Sequence, residues 1–563
     1  MAFKLHASAL LLALGGCASA PRFPLQPPLT RDADEAPFAQ APAEYYSPFA
    51  WDGANYMVFH PIARFFAVDP AGAATNVNAL DEVPDSSWFE NRLGARAMSA
   101  ADVEKGSCDK FLDPNGADGS WTIDKGKDNG ANPGFRVNIK GLGKFMLKTD
   151  PETEPDRATG ATAIASRIYH AVGYHSACDS VVYFRPSLLK LEPGLTVTNN
   201  QGVTRPFDQA RLDEILKQAS HRDGLVRMVA SAWLPGKPIG PYRYEGTRDD
   251  DPNDVIPHED RREVRGGRLL AAWLNHFDSR EQNTMDVFLP LDKEKKDGPG
   301  FVRHYIIDMG DCFGSQWSVD GISRRLGSSY VFDAGHVAED FLSLGITRRP
   351  WERAQLTGGL FGYFSARDFD PEAWRGEYPN PAFMRMTEQD GAWMARILAH
   401  FDDDLLRAAV KVGKFDTVSE RYLSETLIAR RRAILRRYLG KVSPIARVRT
   451  NLAGVCGVDL ARLTRTVPNE GLSFRAYVYR GPRLEAASKP RFRGVPTPEV
   501  CLDIEHADLP ASLPQNDPAR YVVVDITNGY APGPLRVHLY DLGADGGYQL
   551  AGIERPSELK HPG

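Results

Sequence analysis

Four polar residues stand where phosphoryl transfer would need them. Asp278 and Asn283 are five positions apart in WLNHFDSREQN, directly after an apolar stretch of helical period. Asp308 closes the short apolar run HYIID, and Lys148 closes another, FMLK. Upstream, KGKDNGANPG places Gly126, Gly130 and Gly134 between two strand-like runs. The chemistry asks for a glycine-rich turn whose N–H groups approach phosphates, a cation on the strand that follows, a carboxylate base beside the acceptor hydroxyl, and carboxylate or amide oxygens for magnesium. Singly, each has a plainer reading: a hairpin turn, a solvated lysine, a chance Asp–Asn pair. Their order along one chain is what points to chemistry, with Lys148 as candidate phosphate anchor, Asp278 as candidate base or substrate-orienting carboxylate, and Asn283 and Asp308 as candidate metal ligands.

These residues need elements to position them. SWTID and FRVNI alternate like strands, KGLGK is a glycine turn, and FMLK is a third short strand. ATGATAIASRIYHAVGY carries Ala161, Ile164, Ile168 and Ala171 at helical spacing, with Gly173 as its stop. SVVYF and RMVASAWL read as two further strands before the connector PGKPIGPY. In RREVRGGRLLAAWLNHF, Leu270, Trp273, Leu274 and Phe277 share a helical face, and residues 380–440 are helical in pattern, ending on Leu423, Leu427, Ile434 and Tyr438. From about 444 short runs such as FRAYVY, RYVVVDI and RVHLYDL alternate with Gly/Pro turns, the pattern of a separate β domain. Expected boundaries are a signal peptide 1–16, a Pro/Ala-rich tether 17–45, an N-terminal extension 46–118 packed on the main domain, an N-lobe 119–240, a helical C-lobe 241–443 and a β-rich domain 444–563.

The ends and the composition set the context. A chain of 563 residues, 42% hydrophobic, can bury several cores. A net charge of −5 with mixed signs gives no electrostatic reason to bind nucleic acid. MAFKLHASALLLALGGCASA resembles a bacterial lipoprotein signal, which implies lipidation at Cys17 and a place in the cell envelope, on the periplasmic face or surface. Outside the cytoplasm disulfides can form; Cys456 with Cys501 is the favoured pair, buried free thiols being the alternative. Neither CxxC nor HExxH occurs, so zinc has no support. Arg430, Arg431, Arg432, Arg436 and Arg437 read as a solvated helix face rather than a lipid-headgroup site, Asp402–Asp404 as a helix start, Trp88 and Trp317 as core rather than sugar platforms, and His304 as structural.

In kinases a base and a metal-binding amide are set by D-x-x-x-x-N, as Asp278 and Asn283 are here, and D-F-G stands where this chain has Asp308-Met309-Gly310. Over roughly residues 119–440 the set resembles the protein-kinase-like superfamily, closer to its atypical HipA, CotH, secreted Golgi-kinase and lipid-kinase branches. The chain is also similar to a group of bacterial envelope proteins carrying DEVPDSSWF-, ATGAE- and WLNHxDS-like segments, a resemblance that does not supply an activity. The kinase resemblance implies an α+β, two-lobed kinase-like domain with a β-rich accessory domain. It further implies Lys148, with Gly126, Gly130 and Gly134, on the phosphates of ATP or another nucleoside triphosphate, Mg on Asn283 and Asp308, with Asp311 as rival ligand, and Gly310 permitting the turn. Phosphoryl or nucleotidyl transfer to a hydroxyl of a protein or glycan is the expected reaction. The alternative is an inactive kinase-like scaffold or binding protein of the envelope. Two departures bear on that choice. The first helix has no glutamate to pair with Lys148, Thr162 standing where one is plausible and only Glu152 and Glu154 lying upstream; and Phe277 precedes Asp278 where many protein kinases have arginine.

Overall fold

The alternating segments WTIDKGK, GFRVNI and GKFMLK form β1 (Trp121–Lys127), β2 (Gly134–Ile139) and β3 (Gly143–Lys148). The computed structural model describes residues 22–562 except 47, 67–71, 115–120, 129–131, 200–201, 293–294, 296–297, 317–318 and 488; Cys17, Gly130 and Trp317 lie outside the described residues. With β4 (Asp179–Phe184) and β5 (Leu225–Ala232) these strands build a seven-stranded sheet ordered β4-β5-β3-β2-β1, extended by Leu189–Leu191 beside β1 and His221–Arg222 beside β5. Period-two alternation sends Trp121, Ile123, Phe135, Val137, Phe145 and Leu147 to one face, where they are buried beneath Phe207 and the apolar side of helix α2 (Gln209–Gln218). The opposite face carries Arg136, Met146 and Lys148.

That second face looks toward helix α1 (Arg157–Val172), whose residues are buried on nearly every side because most are small. Ile164 and Ile168 join a large helical core with Leu270 and Trp273 of α3 (Arg262–Leu274), Leu398 of α4 (Glu388–Leu398), Leu406 of α5 (Asp403–Lys411), and Leu427 and Ile434 of α6 (Thr417–Tyr438). A second sheet, β6 (Lys237–Gly240), β7 (Thr284–Pro290) and β8 (Gly300–Ile306), ends on the two-residue strand His175–Ser176. The chain is α+β, as expected, and the expected strands and helices of the central region are all present.

The C-terminal region forms two facing sheets. One contains β9 (Ile445–Thr450), β10 (Gly454–Asp459) and β12 (Glu499–Asp503); the other β11 (Arg475–Arg480), β13 (Tyr521–Thr527), β14 (Leu535–Asp541) and β15 (Tyr548–Glu554). Val455 and Leu502 from the first meet Val524 and Val537 from the second in one core. Cys456 and Cys501 are directly opposite in register and disulfide-bonded, the favoured pairing. A second bond joins Cys108 to Cys178 at the start of β4, while Cys312 is a buried free thiol.

Several expectations are corrected. Residues 22–45 are a strap rather than a loose tether: the Phe23 ring lies 4.6 Å from His538, Ser87 N–H donates to Asp34 at 3.1 Å, and Tyr45 N–H donates to Ile239 O at 2.9 Å. Sparse aromatic and acidic groups suffice to dock a Pro/Ala-rich segment. The arginine run is a solvated face only in part: Arg432 and Arg436 are exposed, but the other three are not. Arg430 is buried, donates to Ala272 O at 2.6 Å and lies over Phe369 at 3.8 Å, and Arg431 and Arg437 pair with Asp403 and with Glu372 and Glu388. Asp402 does start α5, accepting from Asp404 and Leu405 N–H, and Trp88 is core, stacked on His304 at 3.5 Å.

Candidate functional site

The Lys148 face of the seven-stranded sheet meets the mouth of the β7–β8 hairpin. There Lys148 Nζ donates to Asp308 Oδ1 at 2.8 Å, a contact between residues 160 positions apart. The hairpin register fixes the rest: Thr284 pairs with Ile306, and Ile307 N–H donates to Asn283 O at 2.9 Å, so Asn283 and Asp308 sit side by side at the strand ends. Asp308 takes a left-handed φ of 55°. Gly310 has no positive φ, so the turn expected of the glycine is made by the aspartate; a Cβ at Gly310 would instead meet Thr162 Oγ1 at 3.2 Å.

Asp278 reaches the same place from α3. The helix ends on Asn275 in the left-handed region, and the next residues form a tight turn. Asp278 N–H donates to Asp311 Oδ2 at 2.8 Å, His276 Nδ1 donates to Asp311 Oδ1 at 2.7 Å, and Asn283 Nδ2 donates to Asp278 O at 2.7 Å. Asp311, the rival metal ligand, therefore has both carboxylate oxygens engaged in bracing the Asp278 turn. His276, Asp311 and Cys312 place potential ligand atoms within 4.8 Å of one another. Burial pushes the Cys312 thiol well above its usual range, so it stays protonated and is a poor ligand.

Electrostatics separates the two key aspartates. Burial raises the Asp308 carboxyl, yet the Lys148 ammonium, helped by Lys127, outweighs it and holds Asp308 down at about 2. Its side chain remains 43% exposed, so a ligand can reach it. Asp278 goes the other way. Burial drives it well above the carboxylate range, and neighbouring Asp311 and Glu377 add to this against Arg280, whose Nε lies 2.9 Å from its Oδ1. Arg280 also pairs with Glu377. Burial acts to lower His276, but the Asp311 carboxylate prevails and its pKa is raised.

The glycines have packing reasons. A Cβ on Gly126 would strike the Phe207 ring at 2.4 Å, and one on Gly134 would lie 2.0 Å from Leu147 O. Gly134 pairs with Lys127 on one side and Lys148 on the other, so both lysines stand on one rung of the sheet. Burial, with Lys148 nearby, lowers the Lys127 ammonium to about 8. Lys127 was not singled out from the sequence, although period-two reading of WTIDKGK beside Gly134 could have found it. Asp179 is another such group: it begins β4, accepts a hydrogen bond from Ser231, and is pushed up to about 6 by burial, against the pull of Lys148.

No carboxylate of α1 meets Lys148. Thr162 Oγ1 donates to Ala158 O at 2.8 Å, Glu152 is exposed, and Glu154 is buried against Arg157 at 2.8 Å. Arg157 in turn donates to Gly310 O at 2.9 Å and Gly314 O at 2.8 Å, while Ser315 Oγ and Gln316 N–H donate to Glu154. The loop after Asp308 is thus clamped by the first turn of α1. A cavity of about 210 Å³ lined by Asn275, Gly314, Phe364, Trp374 and Arg430 opens beside this loop, and its walls include neither Lys148 nor Asp308. Lys148 meets Asp308, Asn283 meets the Asp278 carbonyl, and the Ile307 N–H bond to Asn283 O sets the two pairs side by side, while the Asp278 carboxylate itself pairs with Arg280. No protein-family model, no curated protein and no solved structure matches this chain.

Proposed function

We propose that this is an atypical kinase-like protein of the cell envelope, anchored by lipid at Cys17, that transfers a phosphoryl group from a nucleoside triphosphate to a hydroxyl of a protein or glycan. The carrying observation is the 2.8 Å contact of Lys148 with Asp308 between two sheets, with Asn283 and the Asp278 turn beside it. The donors fit magnesium, a hard cation that takes carboxylate and amide oxygens. Asp308 is ionised and open to ligand, and Asn283, whose amide nitrogen is engaged by Asp278 O, would bind through its amide oxygen. Bound there, the metal would neutralise charge on the transferring phosphoryl group. Lys148 would hold the phosphates. Asp278, whose carboxyl burial raises, would take the acceptor hydroxyl proton as the new O–P bond forms and the nucleoside diphosphate leaves. Two disulfides suit an oxidising compartment. Among the described residues no helix is long and apolar enough to cross a membrane.

One observation favours a second reading, a catalytically silent scaffold: Lys148 rests on Asp308 itself, and Glu154, buried just before α1, is paired with Arg157. Calorimetric titration of the protein lacking residues 1–17 with ATP and magnesium decides between them. Magnesium-dependent binding that vanishes in Asp308→Ala supports the kinase reading. An intact protein that binds no nucleotide with or without magnesium sinks it.

A further inference from the structure

We infer that Lys127 is a second phosphate-binding cation and that, with Lys148, it forms a two-ammonium clamp selective for an oligophosphate chain over a single phosphate. The inference rests on the nucleotide-site reading above and names the part of the ligand that the site grips. It stands on register. Lys127 pairs with Gly134 and Gly134 pairs with Lys148, so the two lysines are next-but-one neighbours on a single rung. Directly opposed residues share a face and adjacent strands lie about 4.8 Å apart, which puts the two lysine stems roughly 10 Å apart on the face toward Asp308.

The residue between them has no side chain and cannot acquire one, since a Cβ there would sit 2.0 Å from Leu147 O. The glycine leaves a slot one side chain wide between two ammonium arms. Lys127 Nζ donates to Asn132 O at 2.9 Å, and Asn132 Nδ2 lies 3.5 Å from where a Gly310 Cβ would stand, so Asn132 brings Lys127 and the loop after Asp308 to the same spot. Burial first, and repulsion by the like charge of Lys148 second, lower the Lys127 ammonium. A polyanion laid along the slot would relieve that repulsion, and adjacent phosphoryl groups are the chemistry that offers one charge to each arm.

The test titrates the protein lacking residues 1–17 with sodium tripolyphosphate and, separately, with orthophosphate, using Lys127→Gln, Lys127→Arg and Lys125→Gln beside the intact protein. Lys125 is an exposed residue of the same strand. Loss of one charge-assisted hydrogen bond predicts that Lys127→Gln weakens tripolyphosphate about tenfold to a hundredfold. Lys127→Arg keeps most of the affinity, Lys125→Gln stays within about twofold, and orthophosphate binds far more weakly throughout. Tripolyphosphate affinity unchanged in Lys127→Gln, or equally reduced in Lys125→Gln, overturns the clamp, as does an intact protein that binds no tripolyphosphate. ATP with magnesium, run in parallel, separates the two ideas. Magnesium-dependent ATP binding with an indifferent Lys127→Gln leaves the kinase reading standing and removes the clamp. Lys127-dependent tripolyphosphate binding without any binding of ATP keeps the clamp and removes the nucleotide.

Discussion

Replacing Arg157 by methionine should release the loop after Asp308. Arg157 and Glu154 are a buried pair, each with only 4% of its side chain exposed. The guanidinium also donates to the carbonyls of Gly310 and Gly314, at 2.9 and 2.8 Å. Removing one partner of a buried pair leaves the other uncompensated, at a cost of about 3–5 kcal/mol. Two buried carbonyls that lose their donor add to this unless the loop moves to hydrate them. The expected loss is therefore about 4 kcal/mol, read from urea unfolding followed by tryptophan fluorescence. Hydrogen exchange across residues 310–316 should quicken more than exchange in β13 and β14. The double variant Glu154→Met/Arg157→Met removes the stranded charge and should recover at least about 2 kcal/mol, although Ser315 and Gln316 then lose their acceptor. A single variant that loses under about 1 kcal/mol, with loop exchange unchanged, would refute the view that the first turn of α1 holds this loop.

Gly134→Ala should cost at least about 2–3 kcal/mol, because the added Cβ would meet a backbone oxygen of β3 that cannot turn aside; a thermal midpoint equal to that of the parent would show that the hairpin has room to spare. Glu281 makes a pH prediction. It is buried, accepts the Tyr56 hydroxyl at 2.5 Å, and is raised by burial to about 7. A carboxyl raised in the folded state contributes stability that is full below its unfolded value near 4.5 and is lost as pH climbs through 7. Glu281→Gln cannot ionise, so the decline from pH 5 to pH 8 should shrink by an order of 2–4 kcal/mol. Parallel stability profiles for the two proteins would contradict the assignment.

What was legible in the sequence follows from period and spacing. The three strands before α1 were readable because WTIDKGK, GFRVNI and GKFMLK bury alternate residues on one face, and α1 because small apolar residues recur at helical spacing. The register Cys456–Cys501 was a fair inference from two cysteines in one β-rich segment. Cys108–Cys178 was not, since it joins the N-terminal extension to β4, and nothing local to either cysteine encodes that approach. The strap at 22–45 was invisible for a related reason: its contacts are single residues meeting distant strands, such as Phe23 on His538, and leave no periodic trace. Buried arginines mislead in the same way, because Arg430 looks like surface charge until Ala272 O and two phenylalanine rings enclose it.

At the site the sequence showed which residues would meet but not what would hold them. The spacing of Asp278 and Asn283 works because Asn283 closes the turn by donating to Asp278 O, a contact that four intervening residues permit only in a compact loop. Helix α1 offers Lys148 no glutamate. The structure places a cation there instead: Arg157 reaches the loop carbonyls directly, and Asp150, two residues beyond Lys148, accepts from Thr159 N–H and Oγ1 to fix the start of α1. Loop order is thereby secured by the helix without passing through Lys148. The lysine's ion pair with Asp308 is then free of that structural duty, and the missing carboxylate weighs less against the proposed phosphate site than the sequence alone made it.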